Sequence, residues 1–277
     1  MRGAWIMAGV TFQEAARRKI LWTAVAAGAG FLALFGTGMH FQVKDLASHN
    51  VAPLIGHQVQ VAMLQVGFYA VDLLAVVMTI LTSVDTLSGE ISSGTIQAIA
   101  TKPISRWEVL MGKWLGFAGM IAIYVSAMFG GVSAIGCFIA GVRPHNAERG
   151  ALLVFLECLL LLTVTFACGT TFSTLANGVI VLGLHGLAFI GGWIEQIGAM
   201  TTSPRLVTLG IVSSLIMPSE SMWRRASFEM QSSLTRSIQF TPFSNASAPS
   251  PVMVGYATLY LLIALVVALY NFQERDL

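Results

Sequence analysis

Three ionisable residues stand in the middle of apolar runs that offer them no partner. Asp72 lies in GFYAVDLLAVV, Glu157 in VFLECLLLL and His185 in VLGLHGLAF. If these runs cross a bilayer, a carboxylate at the centre of one costs ~2.5–3.5 kcal/mol even on the most lenient insertion scale. Two readings of Asp72 follow. It lines a path and pairs with a cation in transit, or it is held by a Ser, Thr or Tyr of a neighbouring helix or kept as a neutral carboxyl. Glu157 and His185 raise the same choice, and the three together are candidates for a translocation path, a shared proton or a metal. Sequence places each on its own run and does not say that the runs touch. Glu195, near the end of its run, is expected to meet water.

A second set of charges is concentrated in one polar stretch, Leu87–Lys113, LSGEISSGTIQAIATKPISRWEVLMGK, between two apolar runs. It carries Glu90, Lys102, Arg106, Glu108 and Lys113, although charged residues are only 10% of the chain. Ser105-Arg106-Trp107-Glu108 has the spacing of a capping box, serine at the N-cap and glutamate three residues on. Pro103 disfavours helix at Lys102. A short helix is therefore expected to begin at Arg106 and run toward the next apolar segment near Trp114, with Gly94 and Pro103 breaking the chain before it.

Other chemistry-bearing residues are dispersed. His40, His49 and His57 lie nine and eight residues apart, which fits no compact metal motif. Cys137, Cys158 and Cys168 sit in apolar runs and read as small core residues rather than ligands or a disulfide set. Trp223, Arg224 and Arg225 form an aromatic and basic cluster suited either to lipid headgroups or to a packed amphipathic helix. No His-Glu-x-x-His, Ser/His dyad, aspartate pair or Walker-type phosphate loop is recognisable, which argues against an intramembrane enzyme and against a nucleotide site on this chain.

The elements that must position these residues are membrane helices. Hydrophobic residues make up 56% of 277, and the mean hydropathy is +0.77. A soluble chain would carry about 25% charged residues. Six runs approach the ~20 apolar residues that span a bilayer: 20–39, 61–84, 114–141, 150–172, 177–200 and 252–271. Spans must be helical here, because lipid satisfies no backbone group. The fold class is all-α. Residues 1–277 form a single transmembrane domain, with an interfacial helix at 1–19, a cytoplasmic loop at 85–113 and an external segment at 201–250. Within the last, Leu206–Met217 is apolar enough to re-enter the membrane. Trp5, Phe12, Ala16 and Ile20 can share one face of the first helix, as a helix lying on a membrane would need. Arg2, Arg17, Arg18 and Lys19 place the N-terminus in the cytoplasm, and an even span count puts the C-terminus there too. Glu14, Arg17, Arg18 and Lys19 interrupt the first twenty residues before any apolar core forms, so no cleavable signal peptide is expected. A net charge of +2 gives no footing for nucleic acid.

The loop also carries a resemblance. Gly89-Glu90, Gly94-Thr95, Lys102-Pro103-Ile104-Ser105-Arg106 and Gly112-Lys113 resemble the loop between the second and third spans of ABC-2 type transporter permeases. The ending Asn271–Leu277, NFQERDL, resembles their charged tails. The subgroup it most resembles contains gliding-motility, bacitracin-type and nitrous-oxide-reductase maturation permeases. The resemblance implies a multi-pass protein of a bacterial inner membrane that works as a dimer with a second permease copy or homologue. It implies a separate ABC ATPase subunit that binds the ATP and Mg, so that no cofactor belongs to this chain. Glu90, Gly94, Lys102, Pro103, Ser105, Arg106, Trp107, Glu108 and Lys113 would then couple the two. Export is the expected activity. The alternative is a mechanical or maturation subunit that uses the same motion without transport, with a periplasmic protein as a further candidate partner.

Overall fold

The computed structural model describes residues 2–17, 19–49, 52–92, 105–231 and 247–274. All regular structure among them is helical. We number the helices α1 (Arg2–Arg17), α2 (Lys19–Ser48), α3 (Pro53–Ser92), α4 (Arg106–Ile135), α5 (Ala147–Gly169), α6 (Thr174–Met200), α7 (Pro204–Ile216), α8 (Ser219–Met230) and α9 (Pro251–Glu274). α2, α3, α4, α5, α6 and α9 are long and apolar enough to cross a membrane. Prolines at the first position of α3, α7 and α9 sit where a missing N–H costs nothing.

The helices overrun the runs read from sequence. α3 has 40 residues, about 60 Å, twice the hydrocarbon thickness. Its last turns take in Leu87–Ser92, which the sequence assigned to a loop. Hydroxyls along the second half of α3 are satisfied by its own backbone. Thr79, Thr82, Ser83, Thr86 and Ser88 each donate to the carbonyl four residues back, the arrangement that lets hydroxyls enter an apolar bundle. Asn177, in the first turn of α6, ties three helices by donating to Val84 O of α3 at 3.2 Å and Thr165 O of α5 at 3.1 Å. Gly94, Lys102 and Pro103 lie outside the described residues, as does the tail beyond Glu274.

α4 is continuous from Arg106 through the bundle, so the expected short helix is its first two turns. It ends in one π-helical turn, Gly136–Ala140, closed by Gly141 at φ 67°, a conformation that glycine adopts without strain. α1 is a separate helix that lies along the start of α4. Ala4, Ala8, Thr11 and Ala15 form its buried stripe, while Trp5, Ile6, Val10 and Phe12 stay exposed. Gly112 and Gly116 make the close approach possible. A Cβ at Gly112 would fall 2.7 Å from Ala4 O, and one at Gly116 2.9 Å from Ala8 O. This is the small-residue spacing by which membrane helices meet.

α7 and α8 form a pair bent by 110°. α7 runs back along α6, where Gly210 and Gly191 let the backbones meet and Ser213 Oγ donates to Leu187 O at 2.8 Å. α8 returns along α5. Its last turn reaches Asn146, whose Nδ2 donates to Glu229 O, and Met230 packs on Gly150. The pair therefore enters and leaves the bundle at the end where α5 begins, and its turn at Met217-Pro218 lies at mid-depth.

Replacing Gly116 by Leu should displace α1 and lower the stability of the detergent-solubilised chain by about 1–3 kcal/mol. Gly119→Leu, which meets nothing within 4 Å, should change it little. Thermal unfolding of the two variants checks the packing.

Candidate functional site

Two polar centres stand out. The first is the end of the bundle that carries the 85–113 loop and both termini. Ser105 is the N-cap of α4, and its carbonyl accepts from Glu108 N at 2.9 Å and Val109 N at 3.2 Å. The side-chain half of the expected capping box is rearranged. Ser105 Oγ donates to Glu108 Oε2 at 3.0 Å instead of accepting an N–H. Glu108 is drawn the other way by α1, whose Gly3 lies against its carboxylate.

Arg106 does not point freely outward. Its Nη1 donates to Gln273 O at 2.9 Å, joining the start of α4 to the last turn of α9. Trp107 beside it is 38% exposed. Lys113, read from sequence as a loop residue, is only 3% exposed and bonds the carboxylate of Glu90. That bond locks the last turn of α3 to the second turn of α4 directly beneath the loop. α3, α4, α1 and α9 thus converge on one face, with Trp107 displayed on it.

The second centre lies at mid-depth, where the turn between α7 and α8 meets α3, α5 and α6. The structure brings Asp72, Glu157 and His185 together. Asp72 is 4% exposed and Glu157 0%, and the two carboxyls interact across the α3–α5 interface. His185 Nδ1 stands 4.0 Å from Glu157 Oε1, too far for a hydrogen bond, and pairs with Ser219 Oγ at 3.0 Å. Among the described residues no three His, Cys, Asp or Glu are arranged to hold a metal ion.

Sequence reasoning missed two members. Glu220, in the first turn of α8, is 6% exposed and within electrostatic reach of Asp72 and Glu157. Glu195, expected at the water, is instead buried in an ion pair with Arg224 Nη2 at 2.7 Å, and Ser247 Oγ donates to its other oxygen at 2.6 Å. The cluster of Trp223, Arg224 and Arg225 is correspondingly turned inward. Trp223 packs on Tyr69, and Arg225 bonds Glu229 and Pro249 O. The one signal in the sequence was Glu220 four residues before Arg224, a helical charge spacing.

The family model for ABC-2 family transporter proteins matches residues 5–277. The chain belongs to that family. It is a multi-pass membrane protein and the transmembrane subunit of an ABC transporter. Comparison with curated proteins gave no match. In this permease the Gly112-Lys113 pair has a physical reason: the glycine admits α1 and the lysine bonds Glu90.

Removing one partner of the buried Glu90–Lys113 bond should cost about 3–5 kcal/mol, because it strands a charge. Lys113→Met alone should therefore destabilise the permease strongly, and adding Glu90→Gln should recover most of the loss. A double-mutant cycle on thermal unfolding measures the coupling.

Proposed function

We propose that the permease is one half of a dimeric exporter of a bacterial inner membrane, driven by a separate ATPase that docks on the loop end. The observation that carries this reading is the convergence of α1, α3, α4 and α9 on one face, held by Glu90–Lys113 and Arg106–Gln273 O, with Trp107 displayed at its edge. A load applied to the start of α4 there passes directly into α3, because the charge pair between them is buried and stiff. α4 crosses the whole bundle without a break until its π turn, so tilt at one end becomes displacement at the other. The resemblance of the 85–113 loop to the coupling loops of this family, including the gliding-motility, bacitracin-type and nitrous-oxide-reductase maturation permeases, supports the same reading. Lys102, Pro103 and Gly94 belong to the proposed coupling set by that resemblance alone.

In this arrangement both termini are cytoplasmic, and α1, packed along the start of α4, turns its Trp5 and Phe12 face to lipid on the inner side. The α7–α8 pair enters from the outer side. The exposed apolar faces of α2 and α9 are covered by lipid and by a second permease copy. ATP and Mg belong to the partner. A mechanical role without export would use the same face and is separated by transport assays alone.

The purified permease should bind no ATP without its ATPase; stoichiometric binding would contradict the division of labour. The double substitution Arg106→Glu, Trp107→Ala should release the ATPase on co-purification or uncouple hydrolysis from transport, while insertion and dimerisation persist. Co-purification and coupled transport at the unmodified level would overturn the docking role.

A further inference from the structure

The mid-depth cluster holds more carboxyl groups than it can charge. Asp72 on α3, Glu157 on α5 and Glu220 on α8 are almost wholly buried and interact with one another. Both oxygens of Glu157 and Oδ1 of Asp72 have no hydrogen-bond partner among the described residues. The groups that face them are few. Tyr69 of α3 and Cys158 of α5 face them. His185 of α6 is engaged with Ser219. Arg224 of α8 bonds Glu195 of α6 and also lies within electrostatic reach of Glu220. Tyr124 of α4 reaches Cys158, and Tyr260 of α9 lies toward Cys168. Four carboxyls thus stand against one guanidinium and one imidazole.

Such a set cannot ionise together in an apolar bundle. Unpaired buried charge is avoided by neutralisation, and neighbouring carboxyls do this by sharing protons. The partial positive charge at the start of α8 amounts to about half an elementary charge and answers for one carboxylate at most. No three His, Cys, Asp or Glu among the described residues are arranged around a metal ion instead. The buried, partnerless oxygens of Glu157 and Asp72 are acceptors that lack a donor, which a proton held on a neighbouring carboxyl would supply.

We propose that Asp72, Glu157 and Glu220 form a proton-binding site in which three helices share protons, and that loss of those protons drives α8 away from α3 and α5. Binding is simple: a proton from water closes an O–H bond on one carboxylate, and that O–H donates to the next. Release leaves like charges on three separate elements. Repulsion then falls on the shortest of them, α8, whose Gln65–Ser227 contact to α3, at 2.5 Å, reports the separation. The site stands on this geometry whether or not the permease is an exporter.

Two measurements on the full chain in nanodiscs test the site. Infrared difference spectra of the unmodified protein should show protonated-carboxyl absorption persisting at neutral pH and lost on alkaline titration. Asp72→Asn, Glu157→Gln and Glu220→Gln should each remove part of it. Absence of that band at neutral pH, or a band untouched by all three substitutions, would overturn the site. Should one variant fail to fold, the remaining two carry the same test. For the movement, a Gln65→Cys, Ser227→Cys pair in a Cys137→Ser background is cross-linked across the pH range. The yield should fall through the infrared transition, and that fall should vanish when Glu157→Gln is added. A yield that follows the same pH course with and without Glu157→Gln would overturn the coupling to α8.

Discussion

A charge carried into an apolar bundle must find a counter-charge or give up its own, and the interior of this permease is arranged around that demand. Lys113 and Glu90 meet it at the loop end, and Arg224 and Glu195 meet it nearer the opposite end. Asp72, Glu157 and Glu220 outnumber the positive groups near them, Arg224, which is bonded to Glu195, and His185. Each pair also joins different helices, so the solutions to the charge problem are the cross-links of the fold. A buried pair adds little net stability over a well-packed apolar contact. It does fix which turn of one helix faces which turn of the next.

That registration is what a permease driven from one end requires. At the loop end the glycines of α4 admit α1, the Glu90–Lys113 pair fastens α3, and Arg106 reaches the carbonyl of Gln273. A partner pressing on this face moves four elements as one body. At mid-depth the contrast is plain. The α7–α8 pair is joined to the rest by the Ser213, Ser219, Ser227, Glu195 and Asn146 contacts. Its turn abuts the carboxyl cluster, so in the proposed proton site movement at that level falls on a short helix rather than on a full span.

The helical class, the six spans and the family were legible because apolar run length and the loop motif are local signals. The start of α4 at Arg106 was legible for the same reason. What sequence could not supply was contact between elements. Lys113 and Glu90 read as loop charges because nothing local shows that α3 and α4 extend past their apolar runs, and it is their mutual bond that makes the extension tolerable. Glu195 read as solvated because its partner comes from α8, 29 residues on. Glu220 was overlooked because a glutamate in the polar stretch SESMWRR looks solvent-facing until α8 is seen to fold inward. Gly112 was visible as part of a motif, but its reason, the backbone of Ala4, was not.

In the proposed arrangement an ATPase sits on the loop-end face and drives α4 from it. Photocrosslinking in native membranes addresses this directly, with a photoreactive amino acid at Trp107 and a control at Phe138, which is 89% exposed beyond the opposite end of α4. Position 107 should capture the ATPase subunit, with a yield that changes between nucleotide-bound and nucleotide-free states, and position 138 should not capture it. Capture of lipid alone at 107, or of the ATPase from 138, would contradict it.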